Sequence, residues 1–285
     1  MRKVLTLLCA GLVVSAMAAC GGSAEQASNE PVDPQLLVTN PSEALGASVN
    51  RFEDHVEAVE ARYSLEMDFG GFAFGANGNF AYRAPESLYM TMEMSGGDET
   101  LFDFSEFGTF EVLVIGDDLY INSGLTGWVS GSIEDFGENS GSLNDLLEGH
   151  APLDFNALVE SVGADVQYLG DTTVDGKTYT RLRITTDLAS LMEDALSSFG
   201  SSGGVDEALF SDYFTAPVTM DILMDPATLL PYTFEANGQF GSGAETGNFT
   251  LAFKFFDYNG PVDIPEPPAD AKPFDEALGD FGYSE

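Results

Sequence analysis

Positive charge is scarce in this chain of 285 residues: 10 lysines and arginines stand against 47 aspartates and glutamates, a formal net charge of −37 at pH 7. A surface this negative repels phosphate backbones at a distance and excludes nucleic acid as a partner. Histidine is scarce too. Neither His55 nor His150 has a metal-ligand partner at helical or loop spacing, so both read as surface residues. A G-x-S-x-G elbow, a Walker A loop and a dinucleotide fingerprint are all missing. With so many acids, carboxylate pairs arise by chance and say nothing about glycoside chemistry. The segment from Asp171 to Leu182 approaches a calcium loop at Asp175-Gly176. It fails as one, because Thr173 takes the third position and Leu182 stands where a bidentate glutamate is required. The sequence predicts no enzyme, no metal and no cofactor.

Cysteine is limited to Cys9 and Cys20, and no apolar run is long enough to span a bilayer core of ~30 Å. Arg2 and Lys3 form a positive n-region, Val4 to Val14 an apolar h-region, and Met17-Ala18-Ala19-Cys20 follows, which is the layout of a secretory signal. The tetrapeptide resembles the lipobox of bacterial lipoproteins. That resemblance implies removal of residues 1–19, a diacylglyceryl group on the Cys20 thiol and acylation of the new N-terminus, palmitate being a typical acyl group. It also implies an exported protein, lipid-anchored to the outer face of the cell membrane or within the cell envelope. One remaining cysteine cannot form an internal disulfide, so a packed core must stabilise the chain, and its length suffices for one.

Residues 20–40 are small, polar and proline-bearing and read as a flexible tether. A helix follows, with Asn40 as N-cap, Pro41 in the first turn and Glu43 as a capping-box acid. Leu45, Val49, Phe52, Val56 and Val59 continue it as one apolar stripe. The period then falls to two. Leu65, Met67 and Phe69; Met90, Met92 and Met94; Met220, Ile222 and Met224; Tyr232 and Phe234; and Phe249, Leu251 and Phe253 alternate mostly with polar residues, as in strands with one buried face. Turn residues such as Gly116-Asp117 imply antiparallel connections. Helical patterns recur at Phe155 to Val162 and at Leu188 to Phe199, where Leu191, Met192 and Leu196 share one face. A Gly-Ser link at 200–204 leads to a short helix at 205–210, and the chain ends in an extended strand and an acidic tail, residues 269–285.

This order predicts an α+β domain over residues 41–268. Methionine is unbranched and adaptable, and its concentration on the period-2 faces suits either a surface for varied apolar ligands or an ordinary core. Gly116-Asp117-Asp118-Leu119-Tyr120-Ile121, Val174-Asp175-Gly176-Lys177, Asp225-Pro226-Ala227-Thr228-Leu229 and Asp257-Tyr258-Asn259-Gly260-Pro261 occur in this order behind the lipobox. Together they resemble the LppX/LprG-type lipoproteins and the wider LolA/LolB-like superfamily, with Leu229 where a glycine often follows the threonine. The resemblance implies a strongly curved antiparallel sheet, an unclosed half-barrel, with helices covering its concave apolar face. It also implies a cavity for lipid or glycolipid acyl chains, lined by the sixteen strand and helix residues Leu65, Met67, Phe69, Met90, Met92, Met94, Leu191, Met192, Leu196, Met220, Ile222, Met224, Phe234, Phe249, Leu251 and Phe253. The role implied is non-enzymatic: carrying or holding lipids or lipoproteins between membranes, with an envelope transport partner. The alternative is a structural or regulatory lipoprotein with a packed interior that acts through its acidic surface on a protein partner.

Overall fold

The computed structural model describes residues 33–69, 72–85, 87–98, 102–103, 108–124, 126–132, 164–187, 216–242, 245–274 and 276–277. Among the described residues two helices, α1 (Leu36–Thr39) and α2 (Pro41–His55), precede thirteen strands. In chain order these are β1 (Ala58–Phe69), β2 (Phe72–Arg83), β3 (Ser87–Asp98), β4 (Phe102–Asp103), β5 (Thr109–Ile115), β6 (Asp118–Ser123), β7 (Gly127–Ser132), β8 (Asp165–Val174), β9 (Lys177–Asp187), β10 (Pro217–Met224), β11 (Pro231–Ser242), β12 (Glu245–Phe256) and β13 (Lys272–Pro273). They form one curved, unclosed sheet in the order β13-β7-β6-β5-β3-β2-β1-β12-β11-β10-β9-β8, with β4 beside β3. Every pairing is antiparallel except β13 with β7. The long strand β12 lies against β1, so the two halves of the chain join at the middle of the sheet.

Local chemistry sets the hairpins. Asp175 and Gly176 both have positive φ, 51° and 81°, and join Val174 to its partner Lys177, the two-residue turn whose twist matches that of the strands it links. At Gly116-Asp117 only the glycine is left-handed, which suits the related turn with glycine first. Asn40 caps α2 by accepting from the Glu43 backbone N–H, and its side-chain amide donates to the Glu43 carboxylate at 2.7 Å. The capping acid thus meets the side chain of the cap rather than its backbone.

Three expectations change. The helix stops at His55, so Val56 caps it and Val59 opens the sheet instead of extending the helical stripe. The cause lies far along the chain. Asn259 accepts from the backbone N–H groups of Glu57 and Ala58 and donates to the His55 carbonyl, satisfying the helix end and holding Ala58 extended. Second, Leu36–Thr39, read as tether, is helical, and Leu37 is wholly buried. Third, after β12 the chain does not form a long last strand. Residues 257–271 cross from β12 to β13, held by the Asp263 N–H on the outward-facing Glu60 carboxylate. Asp263 thus lies over the outer face, on which Leu113, pointing away from the core, is 0% exposed. The helical patterns at 155–162, 188–199 and 205–210, the Gly-Ser link and His150 lie outside the described residues.

Candidate functional site

Because side chains alternate along a strand, the register decides which residues share the inner face. One row crosses the sheet as Phe110, Met92, Gly78, Tyr63, Phe253, Phe234, Ile222 and Leu182. The next runs Met94, Ala76, Leu65, Leu251, Ala236, Met220 and Ile184. Leucine, methionine and phenylalanine flank small residues at 76, 78 and 236, so each row is relieved in its interior.

Three buried clusters occupy this face. One contains Leu65, Met67, Phe74, Val218, Phe240, Phe249 and Leu251; a second contains Val59, Ala61, Tyr63, Phe80, Met90 and Val114. The third joins the helices to the sheet, packing Leu37, Ala44 and Leu45 on Leu182, Ile184, Ile222, Met224 and Leu229. Withdrawing a leucine such as Leu37 from water contributes about 1.5–3 kcal/mol, which is why so short a helix holds its place. Leu229 has φ 58°, a conformation disfavoured for any residue with a Cβ, yet it is 1% exposed. Burial against α1 and α2 offsets the strain that a glycine would avoid.

Five inward-facing residues packed against the first cluster are only partly buried: Met92, Met94, Met220, Phe234 and Phe253. Four of them stand where two clusters meet, and Met94 lies against the first alone. Met92 and Phe253 touch both the first and second, Met220 and Phe234 both the first and third. Nearby, Tyr63 extends over Gly78 and donates to the Thr91 carbonyl at 2.8 Å, and burial holds its hydroxyl well above the usual tyrosine pKa range. A Cβ at Gly78 would lie 1.7 Å from the Thr91 oxygen, and one at Gly238 would lie 2.3 Å from the Phe249 ring. Glycine here lets an aromatic ring lie flat on the sheet, a device that accommodates curvature.

The outer face is chemically opposite. Arg183 bonds Asp221 through both Nε and Nη2, at 2.7 and 2.9 Å, and Arg181 joins from the same strand. These contacts, Arg183 foremost, hold the Asp221 carboxyl down at about 2. Lys177 pairs with Asp225 at 2.6 Å. Tyr232, expected beside Phe234 on the inner face, is instead stacked on Tyr179 with ring centroids 4.4 Å apart. The register shift that sets Met224 opposite Pro231 and Leu223 opposite Thr233 makes Tyr232 the extra residue of a bulge, which turns it over. Arg62 and Lys254 face each other across β1 and β12, both above the Phe256 ring. Five of the chain's ten cations thus gather on this part of the sheet.

Of the residues expected to line a cavity, the structure brings Leu65, Met67, Phe249 and Leu251 together with Met92, Met94, Met220, Phe234 and Phe253 around one cluster. Met90 belongs to the second cluster, and Ile222 and Met224 to the third, beneath the helices. The side chains of Phe69, Leu191, Met192 and Leu196 lie outside the described residues. Sequence reasoning missed Tyr63, Phe74, Val218 and Phe240; extending each period-2 run by two residues would have found Tyr63 and Val218. It also missed Thr186, a buried polar residue on the same face as Leu182 and Ile184. Of the described helices none is long and apolar enough to cross a membrane, and no group of His, Cys, Asp or Glu among the described residues could hold a metal.

No protein-family model and no curated protein sequence matches the chain. Among solved structures it is similar to LprF from Mycobacterium bovis, at 16% identity over 84% of this chain and 100% of that one, TM-score 0.41. It is similar to the lipoprotein LppX from Mycobacterium tuberculosis at 18% identity over 80% and 100%, TM-score 0.39. A LolA superfamily protein from Nitrosomonas europaea aligns at 8% identity over 80% and 94%, TM-score 0.25.

Proposed function

We propose that the chain is a membrane-anchored envelope lipoprotein that holds the acyl chains of a lipid or glycolipid against the inner face of its sheet. In this role it carries or stores lipids or lipoproteins between membranes and exchanges them with an envelope transport partner. The observation that supports the reading is the set Met92, Met94, Met220, Phe234 and Phe253: apolar, inward-facing, yet only partly buried against the first cluster, four of them bridging it to a second or third. A core built only for stability would bury such side chains, since each apolar area left wet forgoes about 25 cal/mol per Å². Flexible thioethers and flat rings adapt to a chain of methylenes without demanding one headgroup.

The test is native mass spectrometry of the mature chain with Cys20 replaced, purified from the soluble fraction of its host. A bound acyl lipid that mild organic extraction removes supports the proposal. A chain that carries no lipid, and takes up none from vesicles, overturns it in favour of a packed interior and a role through the outer surface.

A further inference from the structure

Thr186 is 4% exposed, and its hydroxyl has no hydrogen-bond partner among the described residues. It sits on β9 two residues beyond Ile184, so it shares the inner face, and it lies directly opposite Val218 of the first cluster. Continuing across the sheet, Val218 abuts Gly238, over which the Phe249 ring lies, and Phe249 faces Met67. The polar oxygen therefore terminates an apolar row. The other buried threonine of this strand and face is satisfied: Thr180 donates to Asp171 at 3.0 Å. A valine at position 186 would have the same shape and the same preference for strands, without a buried hydroxyl to desolvate. An unpaired buried hydroxyl calls for a partner that comes and goes.

Resting on the lipid-binding reading above, we propose that Thr186 Oγ1 donates a hydrogen bond to the ester carbonyl of a bound acyl lipid. The ligand is then an esterified lipid rather than a bare hydrocarbon, with its linkage at the β9–β10 end and its chains running along the inner face toward the partly buried Met220 and Phe234.

The experiment measures equilibrium binding of radiolabelled dipalmitoylglycerol and of hexadecane to the mature chain, as wild type, Thr186→Val and Thr186→Ser. Thr186→Val is expected to weaken dipalmitoylglycerol about five- to tenfold, the range of one net hydrogen bond, and to leave hexadecane within about twofold. Thr186→Ser, which keeps the hydroxyl, is expected to retain the preference for the ester. The melting temperature of the empty Thr186→Val chain should stay level or rise. Equal weakening of both probes, no weakening of either, or a lower melting temperature of the empty valine variant would overturn the assignment while leaving lipid binding intact. Failure of the wild type to bind either probe would overturn the lipid-binding reading and this one together.

Discussion

Met220→Trp separates an open inner face from a closed one. Met220 is partly buried on β10 between Ile184 of β9, 1% exposed, and the small Ala236 of β11, 5% exposed. If the space above Ala236 is free for ligand, an indole fills it. About 50 Å² of additional apolar area withdrawn from water contributes roughly 1 kcal/mol, so the empty protein holds or gains stability. If the space is packed, the same side chain forces strain of about 1–3 kcal/mol. At about 2–4 °C per kcal/mol for a domain of this size, the melting temperature would fall by roughly 2–12 °C. Ile184→Trp is the packed control and should lose stability in either case. Melting must be compared on delipidated protein, because bound ligand raises the apparent stability of the wild type by mass action. The expected result is level melting for Met220→Trp, a clear fall for Ile184→Trp, and loss of copurified lipid from Met220→Trp in native mass spectrometry. Equal falls for both variants, with lipid retained by Met220→Trp, would refute the reasoning.

The Asp221 carboxyl titrates near 2 in the folded chain, below its unfolded value of about 4, so its ion pairs stabilise fully above about pH 4. That contribution is lost as pH falls from about 4 to about 2, and solvent screening keeps it under about 1 kcal/mol. Asp221→Asn should flatten that part of the acid-unfolding curve, and an unchanged curve would contradict the assignment. Leu229→Gly relieves a strained φ but removes a side chain that is 1% exposed. Relief of about 1–2 kcal/mol against a burial and cavity loss of about 3–5 kcal/mol predicts a net destabilisation of roughly 1–4 kcal/mol in urea. A stabilised variant would show that strain, not burial, governs the turn. Cys20→Ala should move the protein from the membrane to the soluble or unprocessed fraction, and an unmodified N-terminal cysteine in the wild type would exclude the anchor.

Much of this was legible in the residues because short-range physics decides it. The Asn40 cap, the Asp175-Gly176 and Gly116-Asp117 turns, and the alternation through Leu65, Met67, Met90 and Met92 each depend on neighbours within a few positions. Alternation also fixed which side chains share a face, and so collected most of the candidate lining before any strand was paired. What it could not reach was set by contacts across the sheet. The end of α2 depends on Asn259, about two hundred residues away. Tyr232 turned outward because a bulge against β10 shifted its register, and the crossing of residues 257–271 from β12 to β13 follows from the two lying far apart in the sheet order. Which inward residues stay partly open, and that Thr186 is buried without a partner among the described residues, depend on how closely distant strands and helices approach. Local pattern specifies direction along a strand, whereas burial and hydrogen-bond satisfaction are properties of the space between elements, which exists only once the chain has folded.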